Sequence, residues 1–393
     1  MHTVVTKTMQ PWLKLDYLPD KCMNMMKITD KLLSSWWQLL IILFLFGCGE
    51  KPAEEEEGIN PEPIEEEEEE PEPDLYFVNP VWNRGADPWT VFENGKYYFT
   101  YTQGSSLAIY VVERISNYFE GDNFKQHSVW RPPTGTSYSK NLWAPELHKI
   151  NNKWYAYIAA DDGDNRNHRM YVLEYTASQL SRGGDWIFKG KIADPTDNWA
   201  IDGTILEHEG QLYIIWSGWS SPTNTATQNL YIARMSNPWT IDGERVLISS
   251  PDYAWERHGN PINEGPAIIK NKQGEVFLTY SGSGFWTDDY CLGLMELKPG
   301  GDPMVKADWM KYDQPILTRN DEGGVFGPGH NGFFKSPDGT EDWVIYHARN
   351  LPGGGDTNYR NVRIQKVIWD NEGKPSFGKA VAIGEEIRRP SGE

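Results

Sequence analysis

Five stretches of the chain repeat one pattern: a carboxylate or histidine leads a short apolar run, then a turn, then an aromatic-rich run. They are DPWTVFENGKYYFTYT from Asp87, ELHKINNKWYAYIAA from Glu146, DGTILEHEGQLYIIWSG from Asp202, EGPAIIKNKQGEVFLTYSG from Glu264 and HNGFFKSPDGTEDWVIYHAR from His330. Aligned at Gly95, Asn152, Gly210, Gly274 and Glu341, the second runs recur at intervals of 57, 58, 64 and 67 residues. A period of that size, with two strong strands per unit, predicts propeller blades packed radially around a channel. If each polar residue opens the innermost strand of its blade, all five gather at one axial mouth.

Residues 75–393 number 319, which five units of about 60 residues nearly fill, so one all-β domain is expected. Helical periodicity is weak; the best stretch, 177–181, is too short to build on. Residues 50–74 hold 14 acids and one lysine, and residues 1–49 five lysines and three aspartates. With a whole-chain charge of −19, the domain carries −19 + 13 − 2 = −8, which argues against a nucleic-acid partner. The three cysteines, Cys22, Cys48 and Cys291, leave no pair inside the domain and so no disulfide framework; Cys291 reads as a buried strand residue.

Residues 1–47 read as a signal segment, with residues 1–25 upstream of a better start at Met25 or Met26. The apolar run LLIILFLF over residues 39–46 follows Lys27 and Lys31 and is too short to span a bilayer. Leu45-Phe46-Gly47-Cys48 resembles a bacterial lipobox, which makes Cys48 the expected lipidation site and the bacterial cell envelope the expected location. Residues 48–74, rich in Glu and Pro, predict a disordered acidic linker. Fully extended, the 26 residues after Cys48 reach about 80 Å.

Asp87 in Ala-Asp-Pro-Trp, Asp202 in Ile-Asp-Gly-Thr and Glu264 in Asn-Glu-Gly-Pro each sit beside small residues or proline. Two carboxyls facing across a pocket are what glycosidic cleavage needs, one protonating the leaving oxygen and the other activating water or attacking carbon. A third acid nearby raises the proton donor's pKa by like-charge repulsion.

The segments ADPW, WAPEL, AIDGT, NEGPA and GPGHN, in this order, resemble glycoside hydrolase family 43, with similarity running over residues 76–387. The resemblance implies a five-bladed β-propeller, inverting hydrolysis, Asp87 as general base, Glu264 as general acid and Asp202 as pKa modulator. It also implies a histidine, here His330, on the propeller axis, a candidate metal ligand for Ca²⁺ or another ion in the central channel. No organic cofactor is required. Trp89, two residues past the base, and Trp143 are the tryptophans expected at the sugar, while packing between blades accounts for most others. Glu146 reads as a supporting residue beside the substrate site. Arg349, at a strand end, is a further substrate-binding candidate, with a surface ion pair as the alternative. Residues 263–267, 280–283, 289–294, 327–331 and 346–349 resemble the α-L-arabinofuranosidase branch of the family. The expected substrate is therefore arabinan or an arabinose-decorated plant polysaccharide. β-Xylosidase, endo-arabinanase and a non-catalytic glycan-binding surface lipoprotein are the alternatives.

Overall fold

A computed structural model of the protein describes residues 74–117, 125–177, 180, 185–353 and 359–393. The signal segment, Cys48 and residues 48–73 of the linker lie outside the described residues. A short β1 (Tyr76–Val78) leads into blade I, which holds β2 (Trp89–Glu93), β3 (Lys96–Thr100), β4 (Leu107–Val112) and β5 (Lys125–Trp130). Blade II holds β6 (Lys140–Ile150), β7 (Lys153–Asp161), β8 (Arg169–Tyr175) and β9 (Trp186–Ile192). Blade III follows as β10 (Ala200–His208), β11 (Gln211–Gly218), β12 (Asn229–Asn237) and β13 (Thr240–Ser249). Blade IV comprises β14 (Asn263–Lys270), β15 (Val276–Gly282), β16 (Cys291–Leu297) and β17 (Trp309–Lys311).

Blade V has three strands of its own, β18 (Phe326–Lys335), β19 (Asp342–Arg349) and β20 (Asn361–Lys366). The segment ahead of blade I takes the fourth place and closes the ring. Val81 N–H donates to Val362 O at 2.9 Å, and Val362 N–H to Trp82 O at 2.8 Å. Beyond blade V, β21 (Ile368–Trp369) pairs with β22 (Pro375–Ser376), and β23 (Glu386–Arg388) pairs with β1. The expected five-bladed, all-β architecture is what the chain adopts.

The second strands of the five blades begin one residue past the positions aligned in the sequence, or two in blade IV. The reason is local. Gly95, Asn152, Gly210 and Gly274 close the hairpins with φ of 74°, 62°, 77° and 84°, a region glycine and asparagine enter at little cost.

Side chains alternate across each strand, and here both faces are buried against neighbouring blades. In β3, Tyr97 and Phe99 pack with Trp343 and Ile345 of blade V, while Tyr98 packs with blade II. In β19, Val344 and Tyr346 turn the other way into blade IV. Five apolar clusters fill the five blade interfaces, which uses up most of the tryptophans. Cys291 is buried and unpaired at the head of β16. Among the described residues no helix is long and apolar enough to cross a membrane.

Candidate active site

The five inner strands bend at one axial mouth, each through a residue with positive φ: Asp87 (56°), Ala144 (41°), Asp202 (57°), Gly265 (54°) and His330 (47°). In blades II to V the bend is a register break, between Trp143 and Glu146, Ile201 and Thr204, Glu264 and Ala267, and Gly329 and Gly332. A bulge leaves the local N–H without its ladder partner. At four bends a side chain of the adjoining blade captures it. Asp87 N–H donates to His347 Nδ1 at 3.1 Å, and Ala144 N–H to Thr102 Oγ1 at 2.8 Å. Gly265 N–H donates to Asp202 Oδ2 at 3.0 Å, and His330 N–H to Ser281 Oγ at 2.8 Å. The strained positions are thus held by contacts between blades. Glycine at 265 also spares the His330 ring, which a Cβ there would approach to 3.1 Å.

These bends correct the sequence alignment in two blades. In blade II the mouth residue is Ala144, so Glu146 falls two residues inside the channel. Its Oε2 lies 2.7 Å from His148 Nε2, and it does not line the mouth pocket. Burial keeps its carboxyl well above the usual range and pushes the His148 imidazole down to about 3. In blade IV the bend falls on Gly265, and Glu264 precedes it.

The pocket above the bends has a volume of 430 Å³ and takes lining residues from every blade. Asp87, Asp202, Glu264 and His330 form its floor. Asp87 is heavily partnered: Arg360 Nη1 donates to Oδ1 at 3.0 Å, Thr102 Oγ1 to Oδ2 at 2.6 Å, and His330 Nδ1 stands 3.3 Å from Oδ1. Burial opposes its ionisation, but the Arg360 charge and these contacts outweigh it, so the carboxylate stays ionised below the usual range. His347 is neutral because burial and Arg360 hold its pKa well below normal. Its Nδ1 accepts the Asp87 N–H, which assigns its hydrogen to Nε2.

Glu264 is the opposite case. Burial raises its pKa to about 7, with the Asp87 charge adding to it and a 2.8 Å hydrogen bond from Tyr290 OH working against it. Asp202 is also pushed well above the usual range, by burial and then by Glu264 and Asp87. One carboxyl held ionised and another that still keeps its proton close to neutral pH, in one pocket, is the arrangement that acid–base cleavage of a glycosidic bond needs.

The walls are aromatic. Trp143 lines the pocket as expected, backed by the His168 ring at 3.9 Å. Trp199 and Trp219 stack at 4.7 Å and 8°, and Phe285 and Trp286 line the same pocket from blade IV. Flat indole faces beside Gln228, Asn260 and Thr225 suit a sugar, which offers apolar C–H faces and a rim of hydroxyls.

Two substrate-binding expectations are corrected. Trp89 lines the opposite end of the channel with His148, Lys270 and Phe333, its indole N–H donating to Leu147 O at 3.0 Å. The strand runs inward from Asp87, so two residues carry it about 7 Å away from the mouth. Arg349 is buried and holds the loop beside the pocket rather than lining it. Of the loops that flank the repeats, 161–169 contributes Asn165 and 220–228 contributes Thr225 and Gln228. Arg360, Tyr290, Thr102 and His347 were not singled out from sequence; each is an ordinary strand or turn residue until the blades close.

His330 faces Asp87, whose Oδ1 already meets the Arg360 cation, and the described residues hold no group of three or more His, Cys, Asp or Glu placed to bind an ion.

A five-bladed propeller with a carboxyl-floored, aromatic-walled axial pocket defines a glycoside-processing class of protein. The chain belongs to glycosyl hydrolases family 43, whose family model matches residues 77–375. It is 38% identical over 320 residues to an extracellular exo-α-(1→5)-L-arabinofuranosidase of Streptomyces avermitilis, covering 79% of this chain and 65% of that protein. It is 37% identical to α-L-arabinofuranosidase 43 of Humicola insolens, with the same coverage. The chain thus spans about two thirds of the length of these curated relatives. Its structure superposes on that of an α-L-arabinofuranosidase from Lactobacillus brevis with a TM-score of 0.72, at 33% identity, covering 79% of this chain and 98% of that one.

Proposed function

We propose that this protein is an exo-acting, inverting α-L-arabinofuranosidase that removes single arabinofuranose units from arabinan or arabinose-decorated plant polysaccharide. The exo reading rests on relatives named as exo-α-(1→5)-L-arabinofuranosidases, with the axial pocket lined from all five blades as the seat of the terminal sugar. Relatives named as arabinofuranosidases support the choice of sugar.

In this reading Glu264 donates its proton to the glycosidic oxygen. Asp87, ionised beside Arg360, takes a proton from a water that attacks the opposite face of the sugar. Asp202 accepts Gly265 N–H beside Glu264 and orients that strand, while burial and the Asp87 charge keep the Glu264 proton in place. His330 and Arg360 border the same sugar. The chemistry requires no organic cofactor. Lipidation at Cys48 would tether the enzyme to the bacterial envelope, with the acidic segment as spacer, in keeping with relatives named as extracellular.

The test is kcat/KM on aryl α-L-arabinofuranoside against aryl β-D-xylopyranoside, with NMR of the first-formed anomer. The arabinofuranoside is expected to win and the released sugar to carry the opposite anomeric configuration. A preference for the xyloside overturns the substrate, and a retained anomer overturns the mechanism.

A further inference from the structure

Arg349 was expected at the substrate and is instead buried at 4% exposure behind the pocket wall. Its Nη1 donates to Phe285 O at 3.0 Å, and its Nη2 to Thr287 O at 2.8 Å and Asp288 Oδ1 at 2.7 Å. One guanidinium therefore fixes two carbonyls and a carboxylate of a single short loop, which its rigid fork of donors allows and a lysine would not. The loop is held further by Gly327 N–H, which donates to Asp288 O at 2.9 Å. A Cβ on Gly327 would stand 2.9 Å from Thr287 O and 3.3 Å from Arg349 Nη2, so the slot accepts the loop only with glycine there.

What the loop carries matters for the chemistry. The Phe285 ring lies 4.5 Å from the Arg360 guanidinium carbon, face to cation, and Arg360 Nη1 donates to Asp87 Oδ1 at 3.0 Å. An arginine so placed is confined by the ring beneath it and the carboxylate beyond it.

We propose that Arg349 is a positioning residue for the catalytic base: it clamps the 285–288 loop so that Phe285 holds Arg360 on Asp87. This rests on the reading of Asp87 as base, but its geometric part does not depend on activity. Displacement of a positioned group by about 1 Å can cost on the order of a hundredfold in rate, so loosening the clamp should act mainly on kcat.

The test takes Arg349→Met, with Asp288→Asn as the milder variant should Arg349→Met fail to fold. Crystal structures of the variants should show Phe285 displaced and the Arg360–Asp87 contact opened beyond hydrogen-bond distance. An intact contact near 3.0 Å in a folded variant overturns the proposal whether or not the substrate has been identified correctly. On aryl arabinofuranoside, kcat should fall about tenfold or more with KM changing less, and unchanged kcat overturns it. In a Phe285→Leu background the Arg349 substitution should add less than about a twofold further loss, because both act through Arg360. Multiplying losses would mean that Arg349 acts elsewhere. Wild-type protein inactive on every pentoside, with the contact opened in the variant, would fault the assigned function and leave the clamp standing.

Discussion

Tyr290 donates its hydroxyl to Glu264 Oε1 at 2.8 Å while its ring stacks on His347 at 5.6 Å, so one side chain joins the proton donor to the neighbourhood of the base. The hydrogen bond favours the ionised form of Glu264 and opposes the burial that raises its pKa. Tyr290→Phe removes that opposition. The basic limb of the kcat/KM pH profile is expected to move to higher pH, with kcat reduced about five- to tenfold, the equivalent of about 1 to 1.4 kcal/mol. A limb that moves down, or stays fixed, would detach Glu264 from that limb.

Asp87→Asn and Glu264→Gln should each lower kcat by about 10²- to 10⁴-fold on an unactivated disaccharide, the usual worth of positioned proton transfer. Circular dichroism should show both variants folded. A good aryl leaving group departs without protonation, so it should partly restore Glu264→Gln and leave Asp87→Asn inactive. Equal rescue of both would erase the difference between their roles.

Stability should depend on pH through the buried acids. Glu264 rises from 4.5 to about 7 on folding, so the folded protein keeps a proton that the unfolded chain releases above about 4.5. Its carboxyl is therefore without penalty below the unfolded value, and stability falls as pH rises from there through about 7. Glu146 and Asp202 act in the same direction, and Asp87, held low, in the opposite one. Glu264→Gln should raise Tm by a few degrees at pH 8 and by much less at pH 5, measured by calorimetry. An equal gain at both pH values would show that the effect is packing rather than charge.

The envelope tether is tested by Cys48→Ser in a cell fractionation. The variant is expected in the soluble fraction with unchanged specific activity. Continued membrane association would assign retention to the apolar run at residues 39–46 instead of a lipid.

The fold was legible because its signals are local. Alternating apolar strands and positive-φ turn residues such as Gly95 and Gly274 recur whatever lies around them, and their spacing counts the blades. The acids Asp87, Asp202 and Glu264 were legible for the same reason: the first two occupy bends and the third precedes one, and small residues and proline mark each bend in the chain. Tertiary structure alone decided which residue of a motif occupies the bend. Ala144 does so and Glu146 does not, because the freed N–H is captured by Thr102 of another blade. It likewise decided the partners of Asp87, since His347 and Arg360 lie 260 and 273 residues away. The aromatic wall follows the same rule. Trp89 sits next to the base in sequence but deep in the channel, whereas Trp219 and Trp286, remote in sequence, reach the sugar pocket because their blades turn them toward a common axis.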